Sequence, residues 1–290
     1  MNILYCGDQN IADGVLISVL SILKQVREPL HIYLLTASLQ TAEKIFSPLP
    51  SSFAAFLRRK AQKFSPENTV ERIDASDLFA SQTPKANLAT RFTPCCMLRL
   101  YADQLPMLPE KILYLDNDVV CRRDFSDFYR QDMTDLELAG VLDHYGKWFF
   151  RSRSCRMDYL NSGVLLLNLK KIRETGLFAR CRLRCAEKEM FMPDQSAINK
   201  LAVRKKICPR RYNEQRKLQK DTVFQHFTTS FRFFPWFHAV SAKPWQVDRM
   251  HEILKLHEYD ALLEEYGKWK IEYETGVTPN EQNDSHLLCN

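Results

Sequence analysis

Two aspartates separated by one residue, Asp116 and Asp118, are the strongest candidates for chemistry in this chain. They follow the apolar run Lys111 to Leu115, which predicts a short buried strand that begins after Pro109. Neighbouring side chains of a strand point to opposite faces, so both carboxylates would point the same way if the backbone stays extended. Two negative charges at so short a distance repel each other unless a cation lies between them. Oxygen atoms are the ligands that Mg²⁺ and Mn²⁺ prefer. The spacing therefore indicates a divalent-cation site, although Asp-x-Asp is equally typical of solvated turns.

The elements predicted along the first part of the chain alternate between strand and helix. Strands are predicted for Asn2 to Cys6, Leu30 to Thr36 and Thr69 to Ile73, and helices around Val15 to Val26 and Ser52 to Phe64. This order favours a mostly parallel sheet with helices on both faces.

In such a sheet, ligands gather outside the carboxyl ends of the strands, which is where Asp116 and Asp118 stand. Asp8 and Asn10 follow the first strand and would lie on the same rim. Asp and Asn also occur in turns, where they satisfy backbone groups, so a purely structural role is the alternative for both residues.

The second half of the chain supplies further polar residues next to predicted elements. We predict a helix from Pro94 to about Leu105 with Thr93 as its N-cap, a helix from about Gly176 to Glu189, a helix capped by Asp194, and a final helix from Val247 to Tyr266. Strands are predicted from Glu137 to Leu142, in the apolar run after Leu160, and from Thr222 to His226. The polar and aromatic connector from His144 to Asp158 has a length typical of lids and binding loops.

The composition is that of an ordinary globular protein, with 45% hydrophobic and 26% charged residues among 290. No apolar stretch reaches about 18 residues, so no transmembrane helix is indicated, and the first residues lack the features of a secretory signal. Nine cysteines, an odd number without zinc-ligand spacing, indicate free thiols and a reducing compartment. We therefore expect a cytoplasmic protein, with peripheral contact at the inner face of a membrane left open.

The net charge of +6 is unevenly distributed, with basic clusters from Arg151 to Arg156 and from Arg204 to Lys220. A basic surface can meet anionic lipid, nucleic acid or an anionic sugar nucleotide, although most such runs are solvated faces. No linker is apparent before the polar C-terminal residues. We therefore expect one domain over residues 1–267 and a polar tail over 268–290.

Taken in order, these pieces resemble the retaining glycosyltransferases of family 8. Six blocks carry the resemblance: Cys6-Gly7-Asp8-Gln9-Asn10, Arg99, Leu113 to Val119, Leu160 to Lys171, Asp194-Gln195 and Lys243-Pro244-Trp245. The resemblance covers nearly the whole chain. It implies a single GT-A domain, an α/β fold in which a mixed central sheet is flanked by helices and the first half is Rossmann-like and binds the nucleotide.

The resemblance also implies the transfer of galactose or glucose from a uridine diphosphate sugar to a saccharide or glycoconjugate, with Mn²⁺ or Mg²⁺ as cofactor. It implies contact with the nucleotide, the diphosphate or the donor by Gly7, Asp8, Asn10, Arg99, Asn117, Asp143 and Lys243. It implies catalytic positions near the reacting sugar for Gln195, Asp194 and Asn161. Because the amide of Gln195 is neutral and a poor nucleophile, we expect front-face attack in which the leaving phosphate accepts the acceptor's proton.

The resemblance implies a metal site made by Asp116, Asp118 and His226, and the third of these departs from the family pattern. Family members usually have a short spacing with glycine between this histidine and the lysine, whereas His226 is far from Lys243 and the interval contains no glycine. His238 is therefore a rival ligand. We prefer His226 because it ends a predicted strand, which would hold its side chain firmly.

Two other functional classes compete with this interpretation. A phosphatase of the haloacid dehalogenase type also uses Asp-x-Asp, with the first aspartate as nucleophile, but usually on the first strand and with a later Gly-Asp-x-x-x-Asp motif that this chain lacks. A non-catalytic sugar-nucleotide-binding protein or a basic nucleic-acid module is the second alternative, but the usual nucleic-acid motifs are missing. The donor sugar, the acceptor and the oligomeric state are left open.

Overall fold

The computed structural model describes residues 1–41, 44–88, 94–144, 158–232 and 238–277. Its strands are β1 (Asn2–Cys6), β2 (His31–Thr36), β3 (Leu39–Gln40), β4 (Ile45–Phe46), β5 (Thr69–Asp74), β6 (Lys111–Leu115), β7 (Val119–Cys121), β8 (Leu138–Leu142), β9 (Leu160–Asn168), β10 (Lys205–Ile207), β11 (Phe224–His226), β12 (Ser230–Arg232) and β13 (His238–Val240).

The α-helices are α1 (Ala12–Gln25), α2 (Ser51–Gln62), α3 (Ser76–Ser81), α4 (Ser126–Arg130), α5 (Leu169–Thr175), α6 (Leu177–Glu187), α7 (Pro193–Leu201), α8 (Val247–Arg249) and α9 (Asp260–Thr275). Shorter or tighter helical segments are the 3₁₀ helices Gln9–Ile11, Lys85–Asn87, Pro94–Gln104 and Arg210–Tyr212 and the π-helical turn Met250–Leu254.

A seven-stranded mixed sheet in the order β10-β8-β9-β6-β1-β2-β5 forms the centre of the molecule. β1 lies parallel to β2 and β6, and β8 lies parallel to β10. β9 runs antiparallel to both of its neighbours, β6 and β8. One edge of the sheet therefore collects the carboxyl ends of β1, β6 and β8 together with the amino end of β9. The predicted α/β fold with a mixed sheet is confirmed.

The sheet separates two apolar cores, because alternate side chains of each strand point to opposite faces. Ile3 and Tyr5 of β1 join the core that α1 and α2 cover, whereas Leu4 joins the core formed with Pro94–Gln104 and α6. Leu113 and Tyr114 of β6 divide between the two cores in the same way. The predicted arrangement, with helices on both faces of the sheet, is therefore confirmed.

Two predicted helices differ from the structure, one in its type and the other in its capping residue. The segment Pro94–Gln104 is a 3₁₀ helix, and the predicted cap Thr93 lies outside the described residues. In α7 the N-cap residue is Met192, and Pro193 occupies the first helical turn together with Asp194. Proline suits the first helical position because its φ is already helical. Asp194 therefore lies two residues after the capping position, and the capping prediction is wrong.

The single helix predicted from Val247 to Tyr266 is interrupted in the structure. The π-helical turn ends at Leu254. The next residue, Lys255, has a left-handed φ of 53°, and α9 begins only at Asp260. The interruption allows Met250, Leu256 and Tyr259 all to be buried in the same core. α9 then continues past residue 267 and buries Trp269, while residues 278–290 lie outside the described part.

The predicted binding-loop connector from His144 to Asp158 lies outside the described residues over 145–157, as does the basic cluster Arg151 to Arg156. At its base, the Asp143 N–H donates to the Tyr159 carbonyl at 2.8 Å. Among the described residues, no helix has the length and apolar character needed to cross a membrane.

Candidate active site

Asp116 and Asp118 lie at the carboxyl edge of the sheet, on either side of a tight turn. β6 ends at Leu115, and the Val119 N–H donates back to the Asp116 carbonyl at 3.2 Å. The backbone between the two aspartates is therefore not extended, and the strand-alternation reason given for their common direction is wrong. The turn nevertheless brings both carboxylates to one point.

His226 reaches the same point from β11. This strand pairs antiparallel with β7, and His226 lies opposite Val119, the residue after Asp118. Its Nε2 lies 3.1 Å from Asp118 Oδ1 and 3.6 Å from Asp116 Oδ2. One ligand atom from each of the three residues lies within 4.8 Å of the others. His238 has its backbone in β13, and its exclusion as a ligand stays a prediction.

Two features of this group fit a bound cation. Asp118 Oδ1 is buried and has no hydrogen-bond partner, which is unusual for a carboxylate oxygen. Gly163 supplies the space beside it, because a Cβ at that position would lie 2.1 Å from His226 Cε1 and 2.8 Å from Asp116 Oδ2. Two carboxylates and one imidazole could hold a divalent ion there.

Lys243 adds a positive charge to the group. Its Nζ donates to Asp118 Oδ2 and, at 2.8 Å, to the Phe227 carbonyl. Burial opposes ionisation of Asp118, but the neighbouring ammonium of Lys243 outweighs it and holds the pKa of that carboxyl well below its usual range. Asp118 is therefore a carboxylate at any physiological pH.

Arg99, from the 3₁₀ helix Pro94–Gln104, links two aspartates of the site. Its guanidinium lies 2.9 Å from Asp116 Oδ1 and 3.2 Å from Asp194 Oδ2, and it donates to the Ser162 carbonyl at 2.6 Å. The guanidinium also lies 3.9 Å from the centre of the Tyr114 ring. Burial raises the pKa of Asp194, and the charge of Arg99 only partly offsets this. The buried Arg99 guanidinium is thus paired with both Asp116 and Asp194.

A chain of hydrogen bonds connects Asp143 with His226. Asn161 Nδ2 donates to Asp143 Oδ2 at 3.0 Å, Asn213 Nδ2 donates to Asn161 Oδ1 at 2.9 Å, and Asn213 Oδ1 lies 3.2 Å from His226 Nδ1. A carboxylate only accepts, so each amide in turn must present its oxygen to the next donor. His226 therefore donates from Nδ1, and in a neutral imidazole the lone pair of Nε2 would be directed at Asp116 and Asp118.

Gln195 is fixed at both ends of its amide. Its Oε1 accepts from the Ser162 N–H at 2.9 Å, and its Nε2 donates to Asp143 Oδ2 at 3.1 Å. Ser162 Oγ lies 3.4 Å from Asp194 Oδ2. The structure thus brings together Asp143, Asn161, Asp194 and Gln195, the residues predicted for the donor-sugar pocket.

The predicted nucleotide contacts lie on the same edge. Asp8 follows β1, and its carboxylate accepts from the Asn10 backbone N–H at 3.1 Å and from Asn10 Nδ2 at 2.8 Å. Gly7 donates its N–H to the Leu35 carbonyl at 3.0 Å. Asn117 packs on α1, where a Cβ on Gly14 would lie 2.4 Å from the Asn117 carbonyl oxygen. Contact of these residues with a nucleotide stays a prediction.

Asn213 and Gly163 are the residues of the site that the sequence did not reveal. Asn213 belongs to none of the recognised motifs, and only its complete burial shows that it has a role. Gly163 did carry a signal, because a glycine inside an apolar strand often marks a close approach of another group.

Comparison with known proteins decides the family. The family model described as "Glycosyl transferase family 8" matches residues 2–248. The chain belongs to glycosyl transferase family 8. A lipopolysaccharide 1,2-glucosyltransferase of Escherichia coli is 26% identical over 298 aligned residues, which cover 89% of this chain and 83% of that protein. A second such enzyme, from strain K12, is 27% identical and is covered over 79% of its length.

Solved structures show the same fold. An active-site mutant of LgtC superposes with a TM-score of 0.65 at 20% identity, covering 92% of this chain and 95% of that one. The glycosyltransferase GlyE of Streptococcus pneumoniae TIGR4 has a TM-score of 0.58 at 17% identity, covering 91% of this chain and 63% of that one. The chain is therefore a glycosyltransferase with a GT-A fold, and the phosphatase, nucleic-acid and non-catalytic alternatives are wrong.

Proposed function

We propose that this family 8 enzyme transfers a hexose from a uridine diphosphate sugar to a saccharide acceptor, with retention of the anomeric configuration and with a divalent cation held by Asp116, Asp118 and His226. The observation that carries the proposal is the buried Asp118 Oδ1, which has no hydrogen-bond partner although it faces an imidazole nitrogen whose lone pair is fixed toward it. A site of this kind fits a cation better than it fits a proton relay.

The relatives support the sugar chemistry. The E. coli proteins are lipopolysaccharide 1,2-glucosyltransferases, and a structure of the galactosyltransferase LgtC contains donor and acceptor sugar analogues. We therefore propose glucose or galactose as the transferred sugar and a glycan of the lipopolysaccharide kind as acceptor. The cysteines of the described residues are free, which supports work in a reducing compartment such as the cytoplasm.

The reaction breaks the bond between the anomeric carbon and the diphosphate oxygen, so negative charge grows on the departing uridine diphosphate. Mn²⁺ or Mg²⁺ held by Asp116, Asp118 and His226 would supply Lewis-acid stabilisation of that charge. Lys243 would add its ammonium, since its side chain is 27% exposed and lies beside Asp118. Asp8 and Asn10, with Gly7 and Asn117, would hold the uridine at the ends of β1 and β6.

The residues around the donor pocket would orient the sugar rather than attack it. Gln195 is neutral, and both ends of its amide are already bonded to Ser162 and Asp143. Asp194 is buried and paired with Arg99, which makes it a weak nucleophile. We therefore propose front-face attack: the acceptor hydroxyl forms the new bond to the anomeric carbon as the old bond breaks, and its proton passes to an oxygen of the leaving phosphate.

The test is a donor screen with the purified full chain. UDP-glucose, UDP-galactose and GDP-mannose are incubated with Mn²⁺, with Mg²⁺ and with a chelator, and the released diphosphate is measured. We expect turnover of a UDP-hexose with the ion and loss of turnover with the chelator or in the double variant Asp116→Asn with Asp118→Asn. Turnover that is unaffected by the chelator would contradict the metal site, and turnover of GDP-mannose alone would contradict the uridine donor.

A further inference from the structure

A second group of imidazoles and a carboxylate lies far along the chain, at the interruption before α9. His251, His257 and Asp260 form it, and we call them the C-terminal histidine cluster. His251 Nε2 lies 2.7 Å from Asp260 Oδ1, and His257 Nδ1 lies 3.4 Å from Asp260 Oδ2. The two imidazole rings stack, with centroids 4.2 Å apart and planes inclined by 26°. One ligand atom from each residue lies within 4.8 Å of the others.

The backbone forms this cluster through a π-helical turn followed by a residue with a left-handed φ. The π-helical turn Met250–Leu254 carries His251, and the chain then reverses at Lys255, whose φ is 53°. Among the described residues, Lys255 is the non-glycine residue with a left-handed φ, a conformation that an L-residue with a Cβ adopts only at an energetic cost. The reversal places His257 against His251 just before α9 begins at Asp260.

The ligand types select a different ion from the one proposed at the active site. Two imidazole nitrogens and one carboxylate oxygen are a common three-ligand set for Zn²⁺, with water in the fourth position. A metal ion requires neutral imidazoles, and it removes the repulsion that two stacked imidazolium rings would have at lower pH. A surface His–Asp ion pair needs only one of the two histidines, whereas both converge on the same carboxylate here.

We propose that the C-terminal histidine cluster binds one Zn²⁺ ion. The ion would fasten the turn at Lys255 to the first residue of α9 and so hold this helix in place. α9 packs on the first half of the domain through the ion pairs Lys24–Glu265, Lys60–Glu272 and Asp13–Lys270. The site is structural, and it does not depend on the reaction proposed above.

The test uses Co²⁺ and Zn²⁺ on the full chain in which Asp116→Asn and Asp118→Asn have removed the other candidate site. Titration calorimetry gives affinity and stoichiometry, and the visible spectrum of bound Co²⁺ reports its coordination. We expect one equivalent of metal with nitrogen and oxygen ligands and no thiolate charge-transfer band. His251→Gln and His257→Gln should each weaken binding at least tenfold, because each removes one of three ligands.

His31→Gln is the matched control, since His31 is a partly exposed histidine on β2 that bonds Thr69; its binding should equal that of the parent. Hydrogen exchange adds a second readout: Zn²⁺ should slow exchange over residues 256–264 in the parent and in the His31 variant but not in His257→Gln. Equal affinity in all the histidine variants, or no stoichiometric binding in the parent, would overturn the proposal.

Discussion

Two groups in this protein consist of the same side-chain types, and they differ in almost everything else. Asp116, Asp118 and His226 lie at the carboxyl edge of the sheet, where the side chains of Asp118 and His226 are 9% and 5% exposed. In the C-terminal histidine cluster, His257 and Asp260 are 63% and 50% exposed. The first group is held by strands and by a hydrogen-bond chain, and the second by a single turn of backbone.

The difference in burial and support indicates which of the two groups is better suited to catalysis. At the sheet edge, the turn after β6 converges with β11, and the side chains of Asp116, Asp118 and His226 have polar neighbours in Arg99, Lys243 and Asn213. Burial there strengthens every electrostatic interaction, so the group can act on charge that develops in a substrate. On the exposed turn, the same types of side chain are largely open to solvent, which weakens their electrostatic interactions. We expect the first group to control activity and the second to control only the stability of one helix.

The largest expected effect is on catalysis. The double variant Asp116→Asn with Asp118→Asn should lower kcat by ~10³-fold or more, because the charges that hold the cation are gone. Cleavage of the sugar-nucleotide donor is measured by the release of diphosphate. The comparison requires that His257→Gln, in the other group, keeps the parent kcat. Equal losses in the two variants would break the distinction between the groups.

Gly163→Ala should be the next most damaging change. The new Cβ would lie 2.1 Å from His226 Cε1, so the imidazole must move away from the two aspartates. A displacement of about 1 Å in a catalytic group can cost ~10²-fold in rate. Gly267→Ala, in α9, is the matched control, because nothing lies within 4 Å of a Cβ there. A Gly163→Ala enzyme with parental activity would show that the site is not packed as tightly as described.

Removing the acceptor for His226 tests the hydrogen-bond chain. Asn213→Leu leaves His226 Nδ1 without its partner, and we expect the affinity for Mn²⁺ to fall by ~10–100-fold, as it does when groups that orient metal ligands are lost. Asn213→Asp keeps an acceptor for Nδ1 and should retain more of the affinity. Calorimetric titration with Mn²⁺ measures the affinity of each of the two Asn213 variants. Identical affinities in Asn213→Leu and the parent would show that the chain does not orient the ligand.

A smaller effect, on the free energy of unfolding, is expected from the backbone turn at Lys255 beside the C-terminal histidine cluster. Lys255→Gly removes a Cβ from a left-handed residue and should raise the free energy of unfolding by about 1 kcal/mol. Urea denaturation measures it. The matched change Lys268→Gly, inside α9, should lower stability instead, because glycine is unfavourable in a helix interior. Destabilisation by Lys255→Gly would mean that the lysine side chain holds the turn.

The smallest effect concerns Asp260. Its hydrogen bond from His251 lowers the pKa of its carboxyl, so the stability it contributes is present above the pKa of the unfolded chain. That contribution is lost as the pH falls through the lower pKa of the folded protein. NMR titration should find this pKa below the usual value of about 3.9 and should find it shifted upward in His251→Gln. An unchanged pKa in that variant would contradict the bond.

Much of this architecture follows from local sequence pattern. The strands Asn2–Cys6 and Lys111–Leu115 were predictable residue by residue, since continuous apolar runs between turn residues leave little choice. The interrupted C-terminal helix was not predictable, because neither glycine nor proline marks the reversal at Lys255. Its cause is tertiary: Leu256 and Tyr259 are buried on a core that the local sequence does not show.

The residues of the candidate site also differ in how far the sequence predicts their positions. The positions of Asp116 and Asp118 follow from one strand and its turn, but His226 reaches them only because β11 pairs with β7. Such pairing joins distant parts of the chain and has no local signature. Asn213 is further from prediction still, since its role depends on where both His226 and Asn161 have been placed.

The hydrogen bond from the Asp143 N–H to the Tyr159 carbonyl has an evolutionary consequence. It ties the two ends of the excursion over residues 144–158 at the point where β8 and β9 come together. Doubling the length of a loop costs only about 0.6 kcal/mol in closure entropy, so insertions or deletions between these two anchors would leave Asp143 and Asn161 where they are. Lineages that descend from such a protein can therefore vary the length of this insert while inheriting the positions of Asp143 and Asn161 unchanged.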